Sequence, residues 1–127
     1  MLKVFGIAVG MALSFEQASA SSCKFEGENV TLTAQSSSGQ AMEMNFPGSA
    51  IRKQITQVLV GSDQSLDIAN AKLWMPSMEH GSAPTRLVRV SESCIRIENV
   101  KFLMVGDWEI QLKLAGDQSA VFAFDVE

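Results

Sequence analysis

The sequence predicts an all-β fold, a two-layer antiparallel sandwich of about seven to eight strands. Three observations carry that prediction. Short segments alternate apolar and polar residues with a period of two. Clusters of Gly, Ser, Asp and Pro separate them, and no stretch reads convincingly as a helix.

The first segment stands outside the fold. Lys3 supplies a positive charge, Val4 to Leu13 is apolar, and Ala18-Ser19-Ala20 has the small-x-small form of a cleavage site. Residues 1–20 therefore read as a secretory signal peptide, with an apolar run too short to span a membrane. Cleavage after Ala20 leaves residues 21–127 as one domain, periplasmic or secreted, with no transmembrane segment after cleavage. Lys3 and Glu16 cancel, so this domain keeps the formal net charge of −4. An acidic domain with no Lys/Arg cluster argues against nucleic acid and anionic membrane as partners.

Two cysteines follow from that compartment. Cys23 lies at the start of the mature chain and Cys94 in a later strand, and in an oxidising compartment the two are expected to pair. A competing reading makes Cys23 a lipidated N-terminus, although Ala20-Ser21-Ser22 lacks the apolar residue that usually precedes such a site.

The strands come next. Val30-Thr31-Leu32-Thr33 is rich in strand formers and ends at the turn cluster Ser36-Ser37-Ser38-Gly39. In Ala41 to Phe46, Met42, Met44 and Phe46 share a face, which reads as core packing rather than a ligand set. Ala50 to Val60 fits helical or strand spacing; its β-branched content and the Gly61-Ser62-Asp63 turn favour strand. Ala69, Ala71, Leu73 and Met75 then fall on one face, with Asn70, Lys72 and Trp74 on the other. Arg86 to Val90 and Cys94 to Glu98 alternate around a Ser91-Glu92-Ser93 hairpin turn. The apolar face shifts near Asn99 to Val100, Phe102 and Met104, which implies a bulge or bend. Gly106-Asp107 signals a turn before the cleanest strand, in which Trp108, Ile110, Leu112 and Leu114 face one way. Gly116 to Ser119 turns into a last strand, Ala120 to Val126.

One stretch is chemically distinctive. Pro76 removes a backbone donor and stops the strand that ends at Met75. The loop beyond it gathers Met78 and His80, the single histidine of the chain. Thioether sulfur with imidazole suits Cu(I), whereas Ca²⁺ and Mg²⁺ take oxygen ligands. Met104, before its own turn residue, adds a third thioether if the two loops lie at one end of the sandwich. The candidate metal ligands are thus Met75, Met78, His80 and Met104.

Leu73-Trp74-Met75-Pro76-Ser77-Met78-Glu79-His80-Gly81, with Val100 to Ile110, resembles the FixH/YtkA-like family over roughly residues 54–126. The resemblance implies an immunoglobulin-like sandwich in a small exported or membrane-anchored bacterial domain. It also implies an association with copper delivery, so that the partner would be a copper ion or a copper-handling envelope protein.

Enzymatic function is not expected. His80 is the one imidazole available as a base, and no carboxylate pair, Gly-rich phosphate loop, CxxC or His-x-x-x-His is present. Two readings remain open. One is a copper-binding periplasmic domain with Cu(I) as its cofactor; the other is a metal-free immunoglobulin-like structural or interaction module.

Overall fold

The structure, a computed structural model, describes residues 23–127. The signal peptide expected over residues 1–20 lies outside the described residues. Nine strands run through the described chain: β1 Asn29–Gln35, β2 Ala41–Pro47, β3 Val58–Ser62, β4 Ile68–Met75, β5 His80–Gly81, β6 Arg86–Ser91, β7 Cys94–Glu98, β8 Gly106–Leu114 and β9 Ser119–Val126. They form a five-stranded sheet of order β1-β2-β3-β7-β6 and a four-stranded sheet of order β9-β8-β4-β5, all pairings antiparallel. The chain changes sheet between β3 and β4, β5 and β6, and β7 and β8, which is the Greek-key wiring of an immunoglobulin-like sandwich. The ninth strand, beyond the seven or eight expected, is the two-residue β5.

One core fills the space between the sheets, and period-two alternation explains its membership. Met42, Met44 and Phe46 from β2, Val58 and Val60 from β3 and Ile95 and Ile97 from β7 meet Leu73, Trp108, Ile110, Leu112 and Phe122 from the other sheet. Met42 and Met44, 2% and 0% exposed, are core residues as their spacing predicted.

Several local expectations differ. Ile68 rather than Ala69 is buried, because the β4–β8 pairing shifts register between Ile68 and Asn70 and reverses the alternation upstream of it. Residues 51–57 form no strand, yet Ile51 and Ile55 still turn into the core. Gly61 and Ser62 belong to β3 rather than to a turn, and Gly106 and Asp107 open β8. Residues 99–105 carry an alternating apolar pattern but pair with no strand.

The outer face of the five-stranded sheet is partly covered by the start of the described chain. Cys23 is bonded to Cys94, with Cα atoms 5.6 Å apart across 71 residues of sequence. The Cys23 sulfur is therefore committed to a disulfide rather than to a lipid. With Leu59 and Phe25 the pair makes a second, small apolar cluster. A Cβ on Gly61, directly opposite Cys94, would lie 3.0 Å from the Cys23 Cβ and Sγ, so the disulfide needs a glycine in that strand. The same cover buries Asn45 fully; its Nδ2 donates to the Cys23 carbonyl at 3.0 Å and its Oδ1 accepts from Thr31. A disulfide belongs to chains that mature in an oxidising compartment. Among the described residues no helix is long and apolar enough to cross a membrane.

Candidate metal centre

Pro76 breaks β4 after Met75, and the chain reverses within four residues. The Met78 and Glu79 amides donate to the Met75 and Pro76 carbonyls at 3.2 and 3.3 Å. Glu79 takes a left-handed φ of 53°, and His80 returns directly across from Met75. Directly opposed residues of an antiparallel pair share a face, so Met75 and His80 are set side by side on the inner side of the sheet end.

A second loop lies beside this hairpin. Asn99, at φ 61°, bends the chain out of β7 and donates from Nδ2 to the Pro84 carbonyl. The Val100 amide donates to the Thr56 carbonyl, and Ser82 Oγ donates to the Lys101 carbonyl. Val100 and Phe102 are buried while Leu103, Met104 and Val105 are exposed. One side-chain bond ties the two loops together, and another braces the second loop on its own strand. Ser77 Oγ donates to the Asp107 carboxylate, and the Trp108 indole N–H donates to the Met104 carbonyl at 2.8 Å. The condition set by the sequence is met: both methionine-bearing loops sit at one end of the sandwich.

Gly106 makes the junction possible. It holds φ at 131°, and a Cβ there would lie 2.7 Å from the Met75 methyl carbon. The flexible methionine tip can yield; the backbone conformation cannot without strain. Gly106→Ala is expected to lower stability by about 1–3 kcal/mol, measured as a fall in the urea midpoint. An unchanged midpoint would show that the Gly106 backbone relaxes freely.

The environment of His80 is the most specific feature of the site. Its ring meets Trp108 edge-on, centroids 6.3 Å apart, and Trp108 continues through Phe102 and Phe124 to Phe46 at spacings of 5.6, 5.6 and 5.0 Å. This line of edge-to-face contacts runs from the five-stranded sheet to the rim, where the imidazole ends it. His80 Nδ1 lies 2.9 Å from the Gly81 carbonyl oxygen. A carbonyl only accepts, so Nδ1 carries the proton and Nε2 of the neutral ring keeps its lone pair. Metal-ligating histidines are commonly held in this way, by a carbonyl on the other ring nitrogen.

The four predicted ligands are not equivalent. Met75 is 3% exposed, with its methyl against Gly106, whereas Met78 is 53% and Met104 37% exposed and His80 is half-buried between them in character. The structure pairs Met75 with His80 across the hairpin and ties the Met104 backbone to the tryptophan that His80 touches; Met78 is carried on the hairpin loop itself. Trp74 takes no part: it lies on the opposite face, 4.8 Å from the Lys72 ammonium. The supports that sequence reasoning missed are Trp108 as anchor of Met104, the Ser77–Asp107 bond and Gly106. Only the Gly-Asp-Trp cluster hinted at them.

Among the described residues no group of three or more His, Cys, Asp and Glu side chains is placed to hold a metal. Any centre here rests on thioethers and one imidazole, a donor set that fits Cu(I). No family model, curated protein or solved structure matches the chain.

Proposed function

We propose that residues 21–127 are an exported, non-enzymatic periplasmic domain of FixH/YtkA-like type that binds Cu(I) at one end of its sandwich. Met78 and Met104 are the exposed donors, His80 offers Nε2, and the buried Met75 stands across the hairpin from His80. The observation that carries this reading is the Gly81 carbonyl on His80 Nδ1, which leaves Nε2 as the open ring nitrogen at an end of the sandwich where Met78 and Met104 are exposed. The Cys23–Cys94 disulfide supports export. Soft sulfur donors require no deprotonation, so the imidazole is the one ligand whose protonation competes with the ion.

A specific observation also favours the metal-free alternative. Leu103 and Val105, 53% and 54% exposed, flank Met104 and give this end of the molecule an apolar surface suited to a protein partner. Anaerobic Cu(I) titration against a competing chelator separates the two. Copper binding predicts one equivalent held against the chelator, weakened about tenfold or more in both Met78→Ala and His80→Ala. Failure of the unmodified protein to compete leaves the interaction module standing.

A further inference from the structure

We infer that Met78 and Met104 are a peroxide-sensitive pair whose oxidation to sulfoxide switches off Cu(I) binding at the rim, while Met75 stays reduced. The functional half of this inference rests on the copper reading; the modification half does not.

The methionines of the described chain divide sharply. Met42, Met44 and Met75 are 2%, 0% and 3% exposed, against 53% for Met78 and 37% for Met104. The two exposed thioethers sit on adjacent loops, and burial in the core accounts for neither. In the oxidation the sulfur lone pair attacks a hydroperoxide oxygen, the O–O bond breaks and an S–O bond forms. Sulfur loses two electrons, and the peroxide is reduced to water, or to an alcohol for an organic hydroperoxide. The product presents a hard oxygen where Cu(I) requires soft sulfur.

The fold tolerates this change where it occurs. Met104 is held through its backbone carbonyl, which accepts from Trp108, so a sulfoxide on its side chain leaves that bond intact. Met78 lies in the hairpin loop, whose turn is closed by backbone hydrogen bonds. The buried methionines become reactive only when the sandwich opens, so their oxidation is limited by stability rather than by chemistry.

The test uses the purified disulfide-bonded protein and a brief pulse of hydrogen peroxide, followed by peptide mass mapping. Met78 and Met104 sulfoxides should form about tenfold faster, or more, than those at Met42, Met44 and Met75. Similar rates at all five would overturn the assignment. Cu(I) competition is then repeated on the pulsed protein, where affinity should fall about tenfold or more and return after treatment with both methionine sulfoxide reductases. Pulsed protein that binds as tightly as untreated protein overturns the switch but leaves the copper reading intact. Untreated protein that does not bind Cu(I) overturns both, even where the mass map is as expected.

Discussion

Trp108→Ala is expected to cost about 3–5 kcal/mol, the range for emptying a large aromatic site in a packed core. Trp108 is 1% exposed and among the largest fully buried side chains. Its ring meets Phe102 and His80, and its indole N–H holds the Met104 carbonyl. A loss of that size approaches the whole stability of a small domain, so the variant should be largely unfolded at moderate urea. Trp108→Phe separates the two roles. It keeps most of the apolar volume but leaves the Met104 carbonyl without its donor, at a cost of about 1–2 kcal/mol beyond the smaller ring. Equilibrium urea unfolding reads both. A Trp108→Phe midpoint equal to that of the parent would show that the Met104 bond holds nothing in place.

Removing the disulfide in a Cys23→Ala/Cys94→Ala double variant should cost about 2–5 kcal/mol. The chain-entropy model gives about 4 kcal/mol for closing 71 residues. The loss also has a local part. The Cys23 carbonyl accepts from the fully buried Asn45, and the disulfide lies over Gly61. Freed of the crosslink, the first described segment should lift from the five-stranded sheet, and amide exchange should rise around Asn45 and Leu59 first. The sheets themselves are complete without that segment, so the variant should keep its β-sheet circular dichroism. Unchanged stability together with unchanged exchange at Asn45 would mean that the crosslink is incidental to the cover.

The period-two pattern made much of this fold legible. Trp108, Ile110, Leu112 and Leu114 face inward as their alternation required, and Pro76 ends β4 where its missing N–H said it must. The failures have local causes. The bulge near Ala69 moves Ile68 to the core face, and no residue type advertises it. Gly61 reads as a turn residue but is a strand residue kept small by a disulfide from a distant segment. Val100 and Phe102 alternate like a strand, yet they belong to a loop laid over the rim, held by Thr56 and Ser82 rather than by a ladder. Asn45 sits on the outward face of β2 and is buried because another segment crosses it. The site divides in the same manner. Ligand types and the clustering of Met75, Met78 and His80 were visible along the chain. The approach of the Met104 loop depends on packing and on the Ser77–Asp107 bond, which only the folded chain supplies.

The most direct test of the copper rim is to label the methionine methyl carbons and the histidine nitrogens and follow them by NMR during anaerobic addition of one equivalent of Cu(I). A copper site at this rim predicts shifts at the Met78 and Met104 methyls and at His80 Nε2, with Met42 and Met44 unmoved and His80 Nδ1 still protonated. Unperturbed resonances at Met78, Met104 and His80 after one equivalent would contradict it.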